Sequence, residues 1–87
     1  MKAVILYKPE SEFSRAVEEF VHEFRSRTPY EIEVIDADTN EGTAMADLYD
    51  IMQNPTVLAI REDGQLVKSW SGVPLPLVND VAGYLAQ

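Results

Sequence analysis

The sequence contains no cysteine. Without a thiolate the chain cannot attack a disulfide, and it carries no structural disulfide of its own. Cations are scarce as well: seven Lys and Arg stand against fifteen Asp and Glu, for a formal net charge of -8. Binding to a phosphate backbone or an anionic membrane surface relies on Lys and Arg to neutralise phosphate charge, so neither nucleic acid nor membrane is expected as a partner. No hydrophobic run approaches the ~18 residues that suggest a membrane span. The apolar stretch Ala3-Val4-Ile5-Leu6 behind a single Lys2 is far shorter than the apolar region of a signal peptide. A cytoplasmic location is therefore expected.

What is present is the composition of a globular protein, 46% hydrophobic and 25% charged. A chain of 87 residues supports one domain with a small core, expected to span residues 1–87.

Hydrophobic spacing gives the element order. Ala3 to Tyr7 is a continuous apolar run rich in branched residues and reads as a strand covered on both faces. From Phe13 the apolar residues Ala16, Val17, Phe20, Val21 and Phe24 recur at helical spacing, with Arg15, Glu18, Glu19 and Glu23 opposite. Arg25 and Arg27 suit the end of that helix, and Thr28-Pro29 stops it. Ile32, Val34 and Ile35 supply a second strand, and the polar stretch Asp36 to Asn40 leads into a second helix. The stripe expected for this helix is Ala44 and Leu48 with Ile51 or Met52, weakened at its start by Gly42. Asp63-Gly64 between Thr56–Ile60 and Gln65–Trp70 predicts an antiparallel hairpin. Leu77 or Val78, Val81, Ala82 and Leu85 complete a last helix. The order β-α-β-α-β-β-α implies a mixed α/β sheet, with a parallel right-handed unit first and the hairpin adding an antiparallel edge.

That order, together with three local segments, resembles the thioredoxin and glutaredoxin families over nearly the whole chain. Tyr7-Lys8-Pro9-Glu10-Ser11-Glu12-Phe13-Ser14 is similar to a glutaredoxin active-site stretch, with Ser11 and Ser14 at the two positions of the C-x-x-C motif. Ile51-Met52-Gln53-Asn54-Pro55-Thr56 resembles the stretch that carries a cis-proline facing that motif. Asp63 to Val67 followed by Ser71-Gly72 resembles the hairpin and the glycine after it. The resemblance implies a thioredoxin-like fold with a four-stranded mixed sheet flanked by helices. It also implies a cis Asn54-Pro55 peptide that leaves the Asn54 backbone free to pair with an extended peptide. Lys8 occupies the place where glutaredoxins often hold a glutathione carboxylate. The second glycine and nearby acid that grip the γ-glutamyl end have no counterpart in Ser71-Gly72-Val73-Pro74-Leu75. No cofactor is expected, and glutathione is the alternative.

Individual residues have plainer explanations too. Serine is a good N-cap, so Ser11 is expected to satisfy a backbone N–H at the start of the first helix, and Ser14 to sit in its first turn. A serine nucleophile needs a positioned base. His22, the only histidine, lies roughly 12 Å farther along the helix axis than Ser14. Asp36, Asp38 and Glu41 suit turn and helix-start roles better than a cation site, and no metal is expected. Phe13, Phe20 and Phe24 read as core. Trp70 either anchors an interface or packs on the last helix.

The leading reading is a redox-inactive module in which Tyr7, Lys8, Ser11, Phe13, Ser14, Asn54, Pro55, Thr56 and Gly72, with Val73 at the rim, form a groove for a protein or extended peptide. A second copy of the chain is an alternative occupant. No thiol–disulfide oxidoreductase activity is expected. A second reading is a glutathione-transferase-type enzyme in which Tyr7 or Ser11 activates the thiol of glutathione. A third is a C-x-x-C oxidoreductase engineered to Ser-x-x-Ser.

Overall fold

The computed structural model describes residues 1–87 and has the expected element order. Its elements are β1 (Lys2–Tyr7), α1 (Ser14–Arg27), β2 (Ile32–Asp36), α2 (Asn40–Leu48), β3 (Thr56–Ile60), β4 (Leu66–Ser71) and α3 (Val78–Leu85). The sheet runs β2-β1-β3-β4; β1 is parallel to β2 and antiparallel to β3, and β3 is antiparallel to β4. No helix is long and apolar enough to cross a membrane.

The central strands are apolar on both faces because both faces are covered. Along β1, Ala3 and Ile5 join the cluster beneath α1 and α3, whereas Val4 and Leu6 join a smaller cluster beneath α2. β3 divides the same way, with Val57 and Ala59 on the first side and Leu58 and Ile60 on the second. Helix α1 contributes Val17, Phe20, Val21 and Phe24 to the larger cluster, and its Phe20 and Phe24 rings stack with centroids 6.1 Å apart. Phe13, expected in the same stripe, is only half-buried because it precedes the helix as its N-cap. The α1 helix ends where Thr28 directs both its backbone N–H and its hydroxyl to the Phe24 carbonyl, each at 3.0 Å, just before Pro29.

Helix α2 corrects the expected stripe. Ala44, Leu48 and Met52 face outward, with Leu48 72% and Met52 90% exposed, while Met45, Ala46, Tyr49 and Ile51 pack on the second cluster. Its entry sets this rotation. The Thr39 hydroxyl donates to the Asp36 carbonyl at 2.7 Å and accepts from Gly42 N–H at 3.0 Å, which caps the helix. Gly42 then lies so close to the Asp36–Ala37 backbone that a side chain has no room. With Gly42 inward, positions three, four and seven residues later are inward too.

The hairpin turn forms at Asp63-Gly64, where Asp63 accepts from Gln65 N–H at 3.0 Å and Tyr49 donates its hydroxyl to the Gly64 carbonyl at 2.6 Å. Trp70 packs on α3, edge to face with Tyr84 at 5.4 Å between centroids, so the packing alternative describes its environment. Leu77 caps α3 from outside and is exposed; Val78, Val81 and Leu85 form the buried stripe.

Candidate functional site

One end of the sheet gathers the ends of several elements. Leu6 pairs with Thr56 and Thr56 with Ser71, so the exit of β1, the entry of β3 and the exit of β4 share that end. The turn leading from Tyr7 into α1 starts there as well.

The Ser11 hydroxyl is held within that turn. It donates to the Lys8 carbonyl at 2.7 Å and accepts from Phe13 N–H at 3.3 Å. Ser11 is therefore not the N-cap expected from the sequence: the chain makes an extra turn, α1 begins at Ser14, and Phe13 is the cap residue with no side-chain bond. The physical reason is spacing, since a cap must stand immediately before the first helical residue for its oxygen to reach the first-turn N–H groups. Ser14 does occupy the first turn. Lys8 lies 3.9 Å from the Asp38 carboxylate, and both side chains are well exposed. The Tyr7 carbonyl accepts from Ala37 N–H at 2.8 Å, while its partly buried ring packs against the larger cluster.

Across the sheet, the Asn54-Pro55 peptide is cis, and so is Val73-Pro74. The Pro55 carbonyl accepts from Gly72 N–H at 2.8 Å. Thr56, 1% exposed, donates its hydroxyl to the Gln53 carbonyl at 2.6 Å. Gly72 has φ +73, and a Cβ there would meet the Gln53 side-chain oxygen at 2.5 Å. Hydrogen bonds thus tie Pro55 to Gly72 and Thr56 to Gln53, with Asn54 lying between these pairs in the chain. Gln53 carries no local signal of its side-chain role, because that contact is with Gly72, just beyond the end of β4.

Asn54 is the chemically incomplete member. Its side-chain oxygen is buried without a hydrogen-bond partner. The turn and loop hydrogen bonds also leave its backbone unengaged. A buried acceptor without a donor costs ~1–3 kcal/mol.

Two hollows border α1. One of about 410 Å³ runs between α1 and β2, lined by Tyr7, Val17, Val21, His22, Arg25 and Val34 with Glu18. Another of about 380 Å³ lies between α1 and the segment Val73-Pro74-Leu75. Neither is lined by Ser11, Ser14, Asn54 or Pro55: the first three are only partly buried outside the hollows, whereas Pro55, like Thr56, is fully buried, so these two expected site residues lie beneath the surface and not on it. Tyr7 and Val73 are the links to the hollows.

No family model and no curated protein matches this sequence. Among solved structures, thioredoxin 1 from the thermophilic eubacterium Thermosipho africanus TCF52B is similar, with a TM-score of 0.70 and 16% identity over 99% of this chain and 91% of that one. The likeness establishes a thioredoxin-like fold and nothing finer.

Proposed function

We propose that the chain is a redox-inactive, cytoplasmic binding module that holds an extended protein segment against the surface formed by Tyr7, Lys8, Ser11, Phe13, Ser14, Asn54 and Gly72, which the buried Pro55 and Thr56 support from beneath. The observation that carries this reading is the backbone of Asn54, which makes no hydrogen bond within the chain beside the cis Asn54-Pro55 peptide. An extended peptide supplies the missing donors and acceptors through its main chain and needs no catalytic group. Redox inactivity follows from the absence of any thiol.

The test is a titration of isotopically labelled protein with a panel of synthetic extended peptides. Amide shifts should cluster at residues 8–14, 53–56 and 71–74; shifts confined elsewhere would refute the placement. Glutathione at millimolar concentration serves as a separate arm, and saturation of the same amides by it would favour the glutathione-transferase reading. A disulfide-reduction assay on insulin should show no turnover above buffer. Dimerisation that buries these amides would instead assign the surface to a second copy.

A further inference from the structure

We infer that the outward face of α2, with the loop that leaves it, is a second docking surface, fitted to a cationic amphipathic segment of a partner protein. Seven of the fifteen acidic residues, and none of the seven Lys and Arg, fall between residues 28 and 60. This segment, which contains β2, α2 and β3, therefore carries nearly the whole net charge. Glu33 and Asp38 have cations beside them, Lys2 and Lys8. Glu41, Asp47 and Asp50, which border the outward face of α2, have none within ion-pair distance.

Two features there run against what folding alone favours. The first is apolar exposure: Leu48 and Met52, the most exposed large hydrophobic residues in the molecule, stand at the last residue of α2 and in the loop that leaves it, with exposed Ala44 one turn before Leu48. The second is the sign of charge at the helix end. Partial negative charge collects at a helix C-terminus, so Lys or Arg is favoured in the last turn, as at Arg25 and Arg27 of α1. The last turn of α2 has no base and instead carries Asp47, with Asp50 just beyond. Apolar side chains rimmed by unpaired carboxylates match a helix or strand that presents Leu-like anchors flanked by Lys or Arg.

The same charge selects against other occupants. Phosphate-bearing surfaces are repelled. An isologous dimer through this face would set Asp47 and Asp50 of one copy near those of the other.

The probe is a synthetic amphipathic helical peptide of lysine and leucine, titrated into the labelled full chain. Its shifts should map to residues 41–52, separately from the amides around Ser11, Asn54 and Gly72, so this inference and the groove reading can fail independently. Leu48→Ser with Met52→Ser, and separately Asp47→Asn with Asp50→Asn, should each weaken binding about tenfold without changing the unperturbed spectrum elsewhere. A lysine–serine peptide of equal charge should bind at least about tenfold more weakly, and added salt should lower affinity for both. Shifts outside 41–52, equal binding by the serine variants, or equal binding of a glutamate–leucine peptide would overturn the inference. Concentration-dependent shifts of residues 41–52 without peptide would also overturn it, by making a second copy the occupant.

Discussion

Gly42 stands against the Asp36 carbonyl so closely that a Cβ on it would lie 2.3 Å from the oxygen. A helix interior ordinarily prefers alanine to glycine by up to ~1 kcal/mol. Here the obstructing atoms belong to the backbone of the β2–α2 turn, which also forms the Thr39 cap. Gly42→Ala should therefore destabilise the protein by ~1–3 kcal/mol, the usual cost of forcing atoms into packed space. Urea unfolding measures it, and a stabilised variant would refute the close approach.

The same contact marks where the sequence stops being legible. Element order was readable because β1, α1, the hairpin and α3 each carry strong periodicity or a specific turn pair, and packing merely completes those patterns. In α2 two apolar stripes compete, Ala44–Leu48 and Met45–Ala46–Tyr49, and apolarity alone does not choose between them. The choice is made by a backbone approach between Gly42 and Asp36 that residue spacing does not encode. Ser11 is similar, because serine suits both a cap and a pre-helical turn and the difference is two residues of chain. At the candidate site, Asn54, Pro55, Thr56 and Gly72 were nameable from local motifs, whereas the Gln53 side chain meets Gly72, a residue remote in sequence just beyond β4.

Asp50 adopts φ 54 after the last turn of α2, where Ile51 N–H bonds the Ala46 carbonyl at 2.9 Å. This left-handed position is the one that glycine fills at little cost. Asp50→Gly should stabilise the protein by ~0.5–1 kcal/mol, and Asp50→Val should destabilise it, because a branched Cβ fits this region worst. Thermal melts of the two variants should move in opposite directions.

Lys2 donates to Glu33 at 2.5 Å, and this hydrogen bond is the main reason its pKa is raised above the ordinary 10.5; attraction to Glu33, Glu31 and Glu41 adds to it, while desolvation opposes. A raised folded-state pKa gives stability that is fully present below the unfolded value and is lost as pH rises through the folded value. The pair is well exposed, with side chains 41% and 39% accessible, so screening limits the effect to at most ~1 kcal/mol. The stability gap between the wild type and Lys2→Met should be constant from neutral pH to roughly pH 10 and shrink above it. A gap that widened there would reverse the assignment.

Phe24 is fully buried in the larger cluster, where its ring stacks with that of Phe20. Phe24→Ala should cost ~3–5 kcal/mol, a large share of the ~5–15 kcal/mol typical of a domain. Phe24→Leu, which retains most of the volume, should cost markedly less. Denaturant midpoints distinguish the two, and near-equal losses would place the ring outside the core.

Thr56 tests how the candidate site is held. Its hydroxyl reaches the Gln53 carbonyl at 2.6 Å, and Gln53 in turn occupies the space that a side chain at position 72 would need. Thr56→Val keeps the shape and suits a strand, yet removes the donor from that carbonyl. The expected loss is ~1–2 kcal/mol from the unpaired group, despite the favourable β propensity of valine. Thr56→Ser keeps the donor and sacrifices one methyl group, so it separates hydrogen bonding from packing. If the bond positions Asn54, the valine variant should shift the amides of residues 53 and 54 and weaken extended-peptide binding, while the serine variant should leave both close to wild type. Equal effects in the two variants would show that packing of the methyl group, and not the hydrogen bond, holds the turn in place.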